Sequence, residues 1–78
     1  MCGLVGLVDL ARGAAEDELN AVVTAMSEAV RHRGPDGDGV WVDEGVALGH
    51  RRLAVLDLSE RGAQPMVSRC GRYVLIFN

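Results

Sequence analysis

Residues 3–10 hold Leu4, Val5, Leu7, Val8 and Leu10 in a nearly unbroken apolar run, the pattern of a strand covered on both faces. Such a strand requires neighbouring layers, and the next segment supplies one. Residues 15–31 place Leu19, Val22, Val23, Met26, Ala29 and Val30 at helical spacing, giving one apolar stripe, with Glu16, Asn20, Thr24, Ser27 and Arg31 on the polar face. Glu16, Asp17 and Glu18 sit at the positive end of that helix's dipole and Arg31, His32 and Arg33 at the negative end, each in the favourable sense. Gly34-Pro35 stops it, because proline disfavours a helical conformation at the residue before it.

Beyond the turn at residues 35–39, the runs Val40-Trp41-Val42 and Val46-Ala47-Leu48 flank Asp43-Glu44-Gly45 and predict a hairpin, with Trp41 in the core. Residues 52–58 alternate weakly, as a short strand or an extended loop, and residues 59–65 read as loop. The strongest strand signal is residues 73–77, all aromatic, β-branched or Leu. A hydrophobic strand with so few partners belongs to a larger layered domain. The expected class is α+β, with one long helix on a largely antiparallel sheet, forming the first part of such a domain.

Seventy-eight residues make one small unit at most. A net charge of −3 argues against nucleic acid or an anionic membrane as partner. The absence of an apolar stretch of about 18 residues argues against a membrane span, and Asp9 interrupts the first apolar run before it resembles a signal peptide. Cys2 and Cys70 are far apart and lack CxxC spacing, which fits a cytoplasmic protein and no disulfide framework. His32 and His50 give no metal-ligand pattern, so no metal is expected.

Cys2 lies one peptide bond from the initiator methionine. Removal of Met1 leaves one residue carrying both a thiol and a free α-amine, and an α-amine titrates close enough to neutrality to act as a base. With Met1 attached, that nitrogen is an amide and offers none. The competing reading is a small buried hydrophobe leading into a strand.

Five segments then agree in order and spacing. Met1-Cys2-Gly3-Leu4-Val5-Gly6, His32-Arg33-Gly34-Pro35-Asp36-Gly37, Gly49-His50-Arg51-Arg52-Leu53-Ala54-Val55-Leu56-Asp57-Leu58-Ser59, Gly62-Ala63-Gln64-Pro65-Met66 and Tyr73-Val74-Leu75-Ile76-Phe77-Asn78 resemble the glutaminase domain of glutamine-hydrolysing asparagine synthetases. These are class II glutamine amidotransferases with an N-terminal-nucleophile hydrolase (αββα) fold. The resemblance spans residues 1–78, as the N-terminal part of that domain.

By that resemblance Cys2 is the nucleophile that attacks the glutamine side-chain amide, and Asn78 is the oxyanion donor. Arg52 holds the substrate α-carboxylate, where a planar fork suits a carboxylate, and Leu53, Ala54, Val55 and Leu56 line the glutamine pocket. The implied partners are L-glutamine and a synthetase domain of the parent protein, absent from this chain; a homodimer of the parent stays open. ATP and magnesium are expected only for that synthetase domain, and this chain needs no cofactor. Because the family's residues after the oxyanion Asn are also absent, the chain alone is expected to be inactive or nearly so. An amidotransferase with a different acceptor, and a non-catalytic β-α-β interaction module, remain alternatives. The His32–Asp36 segment is expected to be structural, positioning loops near the site, with His50 a core histidine and Cys70 a turn thiol.

Overall fold

A computed structural model of the chain describes residues 2–11, 13–53 and 63–77. Strand β1 (Gly3–Val8) leads to helix α1 (Glu16–Ala29), a 3₁₀ turn (Arg31–Arg33), and the hairpin of β2 (Gly37–Asp43) and β3 (Val46–Arg52). Two short strands follow, β4 (Met66–Val67) and β5 (Val74–Leu75). The first three strands form an antiparallel sheet in the order β1-β3-β2, while β4 and β5 pair separately and also antiparallel. The class is therefore α+β, one helix against a largely antiparallel sheet. The hairpin turns at Glu44-Gly45, where Gly45 takes a φ of 70°, a conformation costly for residues with a Cβ.

Side chains alternate across a strand, and directly opposed residues share a face. The register Leu7↔Ala47↔Val42 and Val5↔Gly49 puts these residues toward α1. There Leu19, Val23 and Ala47 form the buried core, with Val5, Leu7, Ala14 and Val42 packed around it. Burying a Leu or Val side chain contributes about 1.5–3 kcal/mol, so Leu19 and Val23 anchor the helix. Leu4, Gly6, Val8, Leu48, His50, Gly39 and Trp41 occupy the opposite face.

Several expectations from the sequence need correction. β1 ends at Val8, because its partner β3 begins at Val46: the Asp9 N–H still donates in register to Gly45 O at 2.7 Å, but Gly45 belongs to the hairpin turn, and the Asp9 carboxylate accepts from Ala14 N–H at 2.9 Å. The run is covered on one face only among the described residues, with Leu4 and Val8 exposed on the side away from α1. On the helix, Val22 is exposed and Ser27, placed on the polar face by the sequence pattern, is buried. The cause is Gly49 opposite: with no side chain there, the sheet admits the turn of helix carrying Ser27, whose Cβ lies 3.7 Å from where a Gly49 Cβ would stand.

α1 also ends at Ala29, and the basic residues lie beyond it in the 3₁₀ turn, where Arg31 pairs with Glu28 at 3.6 Å. Trp41 is only half-buried, on edge strand β2 and facing away from α1. The strand at residues 73–77 shrinks to Val74–Leu75, with Tyr73, Leu75 and Phe77 exposed. Beyond Met66–Val67 the pairing continues only as the Ser68 N–H donating to Tyr73 O at 2.9 Å, and the Phe77 N–H is taken by the Gln64 side chain instead of a backbone carbonyl.

Candidate active site

Cys2 stands immediately before β1, and Leu53 immediately after β3, at the same end of the sheet. The Leu53 N–H donates to Cys2 Sγ at 3.3 Å, and the thiol in turn lies 3.8 Å from Leu53 O. The sulfur is thus held against the backbone of one residue, Leu53. Arg52, the last residue of β3, opposes Gly37, and its carbonyl accepts the Asp36 N–H at 2.9 Å. Three residues singled out from the sequence, Cys2, Arg52 and Leu53, therefore lie within one short stretch of adjoining backbone. Ala54, Val55, Leu56 and Asn78 lie outside the described residues.

The frame beneath them comes from residues 34–38. Arg51 is buried on the helix side of β3, and its Nε donates to Gly34 O at 3.1 Å. Its guanidinium lies 3.4 Å from Asp38 and 3.9 Å from Glu28, so β2, β3, α1 and the turn meet at one side chain. Both carboxylates are more than half exposed, so water screens these pairs. The shorter-range contact to the Gly34 carbonyl is the stronger tie. Gly34 packs so closely that a Cβ there would collide with the backbone of Arg51.

On the opposite face of β3, His50 is 1% exposed. Its Nε2 lies 3.1 Å from Phe77 O, and because a carbonyl only accepts, Nε2 carries the proton. Nδ1 is buried with no hydrogen-bond partner. Burial pushes the His50 pKa below its ordinary value, with the Arg52 charge adding to the effect and the Phe77 carbonyl opposing it. The Phe77 N–H donates to Gln64 Oε1 at 2.7 Å. The peptide groups on both sides of Phe77 are thus held by side chains, one peptide bond before Asn78.

Sequence reasoning did not foresee Arg51 or Gln64. For Arg51 a signal existed: two consecutive arginines on a strand point to opposite faces, so one of the Arg51-Arg52 pair had to lie under the helix. Gln64 carried none. At the far end of the sheet a shallow groove is lined by Ala14, Ala15, Glu16, Glu44 and Gly45, remote from Cys2. Among the described residues, no group of three or more His, Cys, Asp or Glu is placed to hold a metal ion.

The family described as "Glutamine amidotransferase domain" matches residues 1–78. The chain is 41% identical over 70 residues to the putative asparagine synthetase [glutamine-hydrolyzing] 2 of Methanocaldococcus jannaschii, covering 85% of this chain and 13% of that protein. It is 42% identical over 81 residues to asparagine synthetase [glutamine-hydrolyzing] 1 of Bacillus subtilis, covering 100% of this chain and 12% of that protein. To asparagine synthetase B [glutamine-hydrolyzing] of Escherichia coli it is 35% identical over 78 residues, covering 100% of this chain and 14% of that protein. The chain spans only 12% to 14% of the length of these three relatives.

Proposed function

We propose, from the premise that the chain belongs to the glutamine amidotransferase domain family, that it is the opening part of the glutaminase domain of a glutamine-hydrolysing asparagine synthetase. The one-helix, antiparallel-sheet arrangement fits the N-terminal-nucleophile type. L-Glutamine is the substrate. After removal of Met1, the Cys2 amine takes the thiol proton and Sγ attacks the side-chain amide carbon. The C–N bond breaks as the amine returns that proton to the departing ammonia, leaving a thioester. Water then adds to the thioester, releasing glutamate and restoring the thiol.

Arg52 takes the substrate α-carboxylate in a bidentate grip. Leu53, Ala54, Val55 and Leu56 line the pocket, and Asn78 donates to the oxyanion, a contact whose loss typically costs about 2.7–4 kcal/mol of transition-state stabilisation. The whole protein passes the ammonia to aspartate in a synthetase part that uses ATP and Mg²⁺. The described residues provide no group of three or more His, Cys, Asp or Glu placed to hold a metal ion. No described helix is long and apolar enough to cross a membrane. We place the chain in the cytoplasm because the free thiols of Cys2 and Cys70 suit a reducing compartment.

The observation that most supports this reading is the Leu53 N–H held on Cys2 Sγ at 3.3 Å: the residue proposed as nucleophile touches the first of those proposed to line the pocket. A diazoketone analogue of glutamine tests it on the full-length protein. Mass analysis should find the label on Cys2 in chains lacking Met1, and none in Cys2→Ser. Labelling at another residue, or glutamine hydrolysis by chains that all retain Met1, would overturn the assignment.

A further inference from the structure

The geometry points to His50 and Gln64 as a pair of positioning residues for glutamine hydrolysis, acting through the Phe77 backbone that they clamp, which is bonded to the proposed oxyanion donor Asn78. The inference rests on the assignment of Asn78 as oxyanion donor given above.

Phe77 lies past the end of β5, so no sheet ladder fixes it. Its backbone is nevertheless held from two directions by side chains 27 and 13 residues away, His50 Nε2 at the carbonyl and Gln64 Oε1 at the N–H. The Phe77 side chain is half exposed and cannot supply that rigidity by packing. His50 is itself fixed: it is buried on the central strand, and its single proton is committed to Phe77 O, leaving Nδ1 bare.

Gln64 is seated as firmly. A Cβ on Gly39, directly opposite His50 in the ladder, would collide with the Gln64 carbonyl and stand 3.1 Å from Pro65. The Gln64-Pro65 segment is therefore pressed onto the bare backbone of β2. The sheet, through Gly39 and His50, braces both ends of the clamp. An oxyanion donor works only when preorganised where charge develops, and the Phe77 carbonyl carbon is bonded directly to the Asn78 nitrogen.

The test compares variants of the full-length protein that keep or lose each hydrogen bond. His50→Gln retains an N–H donor and Gln64→Glu an acceptor, whereas His50→Leu and Gln64→Met retain bulk alone. The bulk-only variants should lose roughly 10- to 100-fold in kcat for glutamine hydrolysis, the scale of a misplaced catalytic group. KM for glutamine should stay near wild type, because Arg52 is untouched. The γ-aldehyde of glutamate, whose hemithioacetal with Cys2 carries an oxyanion, should lose affinity in parallel with kcat, and the conservative variants should recover most of both.

Wild-type kcat and aldehyde affinity in folded His50→Leu and Gln64→Met would refute the clamp while leaving the glutaminase reading intact. Absence of glutaminase activity in the wild type would instead refute the reading on which it rests. If His50→Leu does not fold, Gln64→Met and Gln64→Glu decide the matter, since Gln64 lies on the surface segment over the sheet.

Discussion

Gly34 and Arg51 hold each other by both backbone and side chain: the Arg51 Nε donates to the Gly34 carbonyl at 3.1 Å, and the Gly34 Cα lies against the Arg51 peptide with no room for a Cβ. Overpacking a buried contact costs about 1–3 kcal/mol, and here the obstacle is backbone that cannot rotate away. Gly34→Ala is expected at or above the top of that range. Arg51→Met, which keeps the aliphatic stem but orphans the buried carbonyl, should cost about 1–3 kcal/mol. Denaturant midpoints of the full-length protein would measure both; unchanged midpoints would show that the junction contributes nothing.

The assignment of Cys2 makes two demands on the N-terminus. Cys2→Ala should abolish release of ammonia from glutamine, and an Ala inserted between Met1 and Cys2 should do the same although the thiol remains, because the α-amine no longer belongs to the nucleophile. Ammonia supplied directly should still support synthesis by the whole protein in both variants. Coupled assays with glutamine and with ammonium salts separate the two, and full glutamine-dependent activity in the inserted variant would exclude the amine as base.

Arg52 should act on binding more than on turnover. The grip proposed for it on the substrate α-carboxylate is of a kind made in ground and transition states alike, so in Arg52→Ala KM for glutamine should rise by roughly tenfold or more with a smaller change in kcat. Lys restores the charge without the fork and should recover only part. Steady-state kinetics with glutamine would reveal it, and an unaltered KM in Arg52→Ala would remove this residue from the pocket.

His50 makes stability depend on pH in a definite direction. Its pKa lies below the ordinary value of 6.5 because of burial, with Arg52 reinforcing that and the Phe77 carbonyl opposing it. Below the ordinary value the unfolded chain takes up a proton that the folded chain refuses, so stability falls with pH until the folded pKa is passed. Above the ordinary value this loss is absent. The difference in denaturant midpoint between neutral pH and about pH 5 should therefore shrink in His50→Gln; an identical difference in both proteins would place the titration elsewhere.

The long apolar periodicity of α1 and the turn at Glu44-Gly45 made the helix and hairpin legible in the sequence, and Cys2 and Arg52 stood out by position and motif. Ser27 did not, because its burial depends on a glycine on another element, Gly49, leaving space for it. The shortening of the last strand was hidden for a similar reason. Residues 73–77 have every local preference for extended structure, but the ladder's length depends on what the partner segment offers, and the Phe77 N–H goes to the Gln64 side chain instead of a backbone carbonyl. The side-chain clasp on Phe77 depends on His50 and Gln64, which no spacing rule links.

Alternation along β1 assigns the helix to odd-numbered residues and leaves even-numbered ones for the opposite side. Deleting one residue between Cys2 and Val8 would therefore invert the parity of everything upstream, pointing the thiol toward the helix while every chemical group is still present. Deleting two would restore its orientation but draw it about two residue lengths along the sheet, roughly 7 Å. The start of this chain has the tolerance of a reading frame, in which how many residues precede the core matters as much as which ones they are.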